Sequence, residues 1–289
     1  MTLPPIVFSH GNSFPAGTYR LLFERWRGAG HTVHAVEKFG HDPAYPVTSN
    51  WPHLRHQLIH FIEREVTGPA VLVGHSLGGI LSLLAACRRP DLALGLVLLD
   101  SPLVGGWRAG ALKLVKHSGL MRRVSPGRVA RARRDRFASR PEALAHYARK
   151  PLFQRWDPRV LQDYVDCGTV QADGGLVLAF DREVEGRIYD TLPDHLDRVL
   201  RLHPPQCPVG FIAGTESVEM RQGGSAGARA LAKERFQTIE GGHLYPMERP
   251  DETAERVLRL IAGFPRLAGP GRRDPLDIMP LYHLSVRRP

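Results

Sequence analysis

The residue best placed to do chemistry is Ser76, in the stretch Ala70-Val71-Leu72-Val73-Gly74-His75-Ser76-Leu77-Gly78-Gly79-Ile80. An apolar run enters, Ser76 sits between two glycines, and an Ala/Leu-rich segment leaves. Read as strand, tight turn and helix, this pattern forces Ser76 into a strained backbone conformation at the carboxyl end of the strand. Gly74 and Gly78 are required because a side chain at either position would strike the neighbouring strand or helix. The turn lifts the hydroxyl clear of the sheet and points the N-terminus of the next helix at it. Partial positive charge there favours an oxyanion, so the chemistry implied is nucleophilic attack on a carbonyl.

These residues resemble the nucleophile elbow of the α/β-hydrolase superfamily. The elements needed to position such an elbow are present along the chain. Ile6-Val7-Phe8 within Pro5–His10, His31–Val36, Ala70–His75, Leu94–Leu99, Cys207–Gly214 and Arg235–Ile239 read as buried strands. Between them, Tyr19–Arg27 carries Leu22, Phe23 and Trp26 on one helical face, and Leu54, Leu58 and Ile62 recur at helical spacing after Pro52. Asn50 is expected to cap that second helix, and His53, His56 and His60 to lie on its polar side. Leu77–Arg89 and Asp251–Ile261 complete the helices. This alternation predicts an α/β fold, a doubly wound and mostly parallel sheet with its chemistry at the strand carboxyl ends. The resemblance further implies that the sheet lacks the family's first strands, because the strand before His10-Gly11-Asn12 matches the family's third.

The pattern changes between residues 103 and 205, which are Arg-rich and broken by Ser125-Pro126-Gly127, Arg140-Pro141 and Asp157-Pro158. In the family an insertion at this point forms a helical cap over the site. The expected organisation is therefore a core of residues 1–102 and 206–264, a helical cap at 103–205 and an extended tail at 265–289. The cap's helical pieces carry Leu112, Val115, Leu144, Tyr147, Leu152 and Trp156, and its aromatic residues are expected mostly to pack within it, with a place in the acyl pocket as the alternative.

Composition narrows the function class. With 289 residues, 43% of them hydrophobic, the chain can bury one full core plus an insertion. It shows no apolar run of membrane-span length and no signal-peptide profile at its start. Cys87, Cys167 and Cys207 are far apart and odd in number, which favours reduced thiols and a soluble cytoplasmic protein. The net charge of +10 is concentrated between Leu103 and Val160, where fifteen Lys and Arg face only Asp135, Glu142 and Asp157. No aromatic-interleaved basic stripe accompanies them, so no nucleic-acid partner is expected. A solvated helical face is the simpler reading, and an anionic substrate is the alternative. His41 and Asp42 lie in a loop near the expected site mouth, where a loop closed by its own polar groups is favoured over substrate contact. The absence of a C-x-x-C or H-E-x-x-H pattern gives no support to a metal, and no cofactor is implied.

The resemblance assigns the remaining roles. His243, in Glu240-Gly241-Gly242-His243 after the last strand, matches the family's catalytic histidine. The N–H groups of Asn12 and Leu77 would form the oxyanion hole, with His10 a structural hydrogen-bonding residue. The acid is ambiguous. The family's usual G-x-x-D reads here as Gly214-Thr215-Glu216-Ser217, with the carboxylate one residue early. Asp100, at the end of the strand after the nucleophile helix, matches another placement known in the family. Asp100 is preferred, and Glu216 remains open, with Glu219 a further possibility. The expected function is a serine hydrolase that cleaves an ester-type acyl bond of a small molecule through an acyl-enzyme. A C–C bond hydrolase or acyltransferase with the same triad, or a non-catalytic ligand-binding protein of this fold, are the alternatives. Sequence says nothing of oligomeric state.

Overall fold

The computed structural model describes residues 3–117 and 125–265. Among them the strands are β1 (Ile6–Ser9), β2 (Val33–Ala35), β3 (Ala70–His75), β4 (Ala93–Leu99), β5 (Arg136–Phe137), β6 (Thr169–Ala172), β7 (Gly175–Leu178), β8 (Val209–Gly214) and β9 (Phe236–Ile239). Six form one parallel sheet in the order β2-β1-β3-β4-β8-β9. Both faces are covered by helices, which is why β3 and β4 are almost continuously apolar rather than alternating.

The side-chain period of two divides the core between the faces. Val7, Leu72, Leu96, Leu98 and Phe211 pack toward α2 (Pro52–Glu65) and α3 (Leu77–Arg88). Ile6, Phe8, Val71, Val73, Val97 and Ile212 pack toward α1 (Arg20–Gly28) and the helix Pro250–Ala262. Trp26, fully buried, fastens those two helices together, its indole N–H donating to the Ala254 carbonyl at 3.2 Å. Among the described residues the sheet begins, in chain order, with β1. No helix among them is long and apolar enough to cross a membrane.

Two local expectations are corrected. The segment between β4 and β8 is not purely helical, since β5, β7 and β6 form a three-stranded antiparallel sheet within it. Its hairpin Thr169–Leu178 turns at Asp173-Gly174, where Gly174 and the following Gly175 take the positive φ that glycine accepts without strain. Asn50 does not cap α2. Trp51 occupies the cap position at φ 57°, with no side-chain cap. Asn50 instead takes φ 66°, accepts at Oδ1 from the Asp194 N–H at 2.9 Å and donates its own N–H to the Thr191 carbonyl at 3.0 Å. The loop 191–194 lacks a regular partner, and an Asn in left-handed conformation supplies one. The expected extended tail lies, beyond residue 265, outside the described residues.

Candidate active site

Ser76 has φ 52° and ψ −116°, a conformation that costs a non-glycine residue on the order of 1–3 kcal/mol. Two features hold it there. Its N–H donates to the Leu99 carbonyl of β4 at 2.9 Å. Packing leaves no alternative either, because a β-carbon at Gly74 would enter the backbone of Gly78 and Gly79, and one at Gly78 the backbone of Ser9 and His10. Strand, turn and helix are thereby pressed together, and Ser76 Oγ emerges 2.9 Å from His243 Nε2.

His243 stands in the loop after β9, and its Nδ1 lies 2.7 Å from Oδ2 of Asp100. The carboxylate of Asp100 is fully buried and meets two further donors, Gly214 N–H on Oδ1 at 2.6 Å and Ser217 Oγ–H on Oδ2 at 2.5 Å. Glu216, the other candidate, is exposed and paired with Arg155 at 2.7 Å. Glu219 comes to 3.9 Å from His243 Nδ1. Asp100, Glu219 and His243 each place one potential ligand atom within 4.8 Å of the others. Asp100 Oδ2 and His243 Nδ1 are hydrogen-bonded to one another, and Glu219 stands outside that bond.

Leu77 opens α3, so its amide has no intrahelical acceptor. Asn12 follows β1, and both residues border the same cavity as Ser76. The Asn12 side chain donates through Nδ2 to the Glu185 carbonyl of the inserted segment at 3.1 Å. His10 has the structural surroundings expected of it. Nδ1–H reaches the Gly11 carbonyl at 2.7 Å and Nε2 accepts from the Phe39 N–H at 3.1 Å, a neutral tautomer that burial favours by pushing the imidazole down to about 4. Asp42 closes its own loop by accepting from the Ala44 N–H, whereas His41 contacts the Phe39 carbonyl and also reaches out of its loop, its Nε2 accepting from the Asp181 N–H of the inserted segment at 2.9 Å.

Sequence reasoning missed a second layer. The Gly11 N–H donates to the Tyr19 hydroxyl at 3.0 Å, and that hydroxyl lies 2.7 Å from His75 Nδ1. His75 Nε2 in turn sits 2.9 Å from the His243 carbonyl. With Tyr19 donating and Nε2–H donating onward, the buried chain links the loop of Asn12 to the loop of His243. Burial holds His75 neutral, down to about 3. Only the position of His75, between Gly74 and Ser76, hinted at this, because the partners are distant in sequence.

Glu185 was equally invisible. It is fully buried on the helix Arg182–Asp190, with Arg133 Nη2 3.4 Å from its Oε1. Burial raises it to about 7, Arg133 opposing. Folded Glu185 thus keeps a proton between its ordinary 4.5 and about 7 that the unfolded chain has released. Its contribution to stability is complete below the unfolded value and is lost as pH rises through the folded one. Against a non-titrating Glu185→Gln variant, wild type should gain about 3 kcal/mol of unfolding free energy between pH 7 and pH 4.5. Urea titrations of both proteins at the two pH values check this; a difference that stays constant with pH would refute the buried titration.

Two cavities meet at Ser76 and His243, one of about 450 Å³ and one of about 360 Å³. The inserted segment contributes Leu112, Ile188 and Leu192 to the first and Leu152 and Arg155 to the second. Its aromatics mostly pack among themselves, Trp156 and Tyr147 against Phe153 and Tyr164. Many of its cations have carboxylate partners: Lys116 with Asp194, Arg131 with Glu183 and Asp190, Arg134 with Glu142, and Arg159 with Asp157 and Asp251.

Comparison with known proteins agrees with this architecture. A family model described as alpha/beta hydrolase family matches residues 6–256. The mouse sn-1-specific diacylglycerol lipase ABHD11 is 26% identical over 277 residues, covering 90% of this chain and 82% of the relative. The pimeloyl-[acyl-carrier protein] methyl ester esterase of Xylella fastidiosa (strain M12) is 36% identical over 96 residues, 33% of this chain and 36% of its own. Among solved structures, E-2-(acetamidomethylene)succinate hydrolase superposes with a TM-score of 0.69 at 22% identity, covering 90% of this chain and 91% of that one, a likeness of fold alone. With the family model spanning nearly all of the described core, the chain belongs to the alpha/beta hydrolase family and is a hydrolase.

Proposed function

We propose that the protein is a serine hydrolase that cleaves an ester-type acyl bond of a small molecule, with Ser76 as nucleophile, His243 as base and Asp100 as the acid. The observation that carries this reading is the hydrogen-bonded series Ser76 Oγ, His243 Nε2, His243 Nδ1, Asp100 Oδ2, opening where two cavities meet. With Nδ1–H directed at Asp100, Nε2 is left to accept the Ser76 proton as Oγ attacks the carbonyl carbon. The amides of Asn12 and Leu77 receive the oxyanion, each donor contributing about 3 kcal/mol to the transition state. His243 returns its proton to the leaving oxygen, then activates the water that releases the acyl group. Residues 103–205 act as a cap that shapes both cavities. The ester and lipase relatives support ester hydrolysis as the reaction.

Intact-mass analysis after treatment with a fluorophosphonate tests the reading. Wild type is expected to gain one adduct and Ser76→Ala none. A folded wild-type protein that gains no adduct would turn the assignment toward a non-catalytic binding protein.

A further inference from the structure

The two cavities at Ser76 differ in chemistry. The larger is apolar, walled by Trp51, Leu77, Ile80, Ile188, Leu192 and Leu196. It lies on the side of the nucleophile helix. The smaller alone is bordered by Gly242 and Leu244, so it lies against the loop of the base, and it carries Arg155, Glu216 and Glu248, while Ser76 and His243 border both. Glu219, Asn12 and Tyr189 face both.

An acyl chain gains about 0.8 kcal/mol for each methylene it buries, so it belongs in the apolar cavity. With the acyl chain there, the leaving alcohol, which must receive its proton from His243, takes the other, along the loop of the base. There, three carboxylates stand against one guanidinium. Arg155 is already shared between Glu216 at 2.7 Å and Glu248 at 3.0 Å. Glu219 has His243 as its ion-pair neighbour among the described residues. A separate observation agrees in kind. Asn12 is 5% exposed, and its Oδ1 is buried and accepts no hydrogen bond among the described residues. The groups left for a ligand are therefore acceptors and negative charge.

We propose that the smaller cavity selects the alcohol half of the ester, taking a neutral or cationic alcohol rich in hydroxyl or ammonium donors and rejecting an anionic one, with Glu219 as the specificity-determining residue. This rests on the hydrolase reading above. It runs opposite to the attraction of anions that the basic stretch 103–160 suggests in sequence, because at the site that charge is neutralised by carboxylates.

The test uses the full chain and three octanoyl esters that share the acyl group and differ in the alcohol: choline, glycerol and glycolate. The readout is the ratio of kcat/KM values, with Ser76→Ala as background. The choline and glycerol esters should exceed the glycolate ester by about tenfold or more, and Glu219→Gln should shrink the choline-to-glycolate ratio about tenfold. Raising NaCl from about 0.02 to about 0.5 M should shrink the wild-type ratio as well, a measurement that needs no variant. Ser76-dependent hydrolysis with a ratio near one, or favouring glycolate, would overturn the cavity assignment and leave the hydrolase reading intact. A ratio insensitive to both salt and Glu219→Gln would do the same. Failure of wild type to cleave any of the three would overturn both.

Discussion

Asp100→Asn should lower kcat on an ester substrate about 10⁴-fold at neutral pH, while Glu216→Gln should change it less than about threefold. Asp100 is met by three donors: the Gly214 N–H, the Ser217 hydroxyl and His243 Nδ1–H. A carboxylate accepts all three. An Asn has one acceptor oxygen and an NH₂ group, so at least one of these donors faces another donor. The Gly214 amide cannot rotate, which pins the Asn oxygen there and turns the NH₂ toward His243. That selects the imidazole tautomer with Nε2–H pointing at Ser76, which cannot take the hydroxyl proton. Glu216 contacts no part of this series and pairs at the surface with Arg155, where an ion pair contributes little. Single-turnover kinetics with thermal melts of both variants check the expectation. The reverse ranking in folded proteins would move the acid to Glu216.

Gly78→Ala should cost about 3 kcal/mol or more, or leave the protein insoluble. The added β-carbon would meet the backbone of Ser9 and His10, which has no rotamer by which to yield. Relief requires either that α3 lift from the sheet or that β1 and the Asn12 loop withdraw. Gly110→Ala is the control, on the helix Gly106–His117, where an added β-carbon would meet no atom within 4 Å among the described residues. Helix propensity alone should make that variant about 1 kcal/mol more stable. Urea midpoints of the two variants should therefore move in opposite directions from wild type.

What sequence made legible follows from the range of each interaction. The elbow's pattern is local, Gly74, Ser76 and Gly78 standing close together in the chain, so it reads directly even though the Leu99 carbonyl and the Ser9 and His10 backbone that brace it are distant in sequence. The sheet was readable because strands buried on both faces are continuously apolar. The acid stayed ambiguous because its selection depends on the pairing of β4 with β8, which brings Asp100 to Gly214 and Ser217 across more than a hundred residues. Ser217 fills the place where G-x-x-D would put a carboxylate and donates to one instead. Tyr19, His75 and Glu185 escaped for the same reason, since nothing near them in sequence marks their partners. The hairpin at Asp173-Gly174 is different, being a local signal that the arginine content of the surrounding segment obscured.

The Ser76 amide rests on the Leu99 carbonyl, so the proposed nucleophile and acid emerge from one strand-helix-strand unit, β3 to β4. That unit is a single crossover, early in the chain and closed before the inserted segment begins. The base comes from the loop after β9, the last strand to join the sheet. A chain that ends before β8 therefore holds Ser76 and Asp100 in one unit but lacks Gly214, Ser217 and His243, the three partners of the Asp100 carboxylate. A nascent chain could thus be compact and still inert toward the cell's esters. On the proposed mechanism, hydrolysis measured during refolding reports the docking of β9 and its loop rather than formation of the β3–β4 unit.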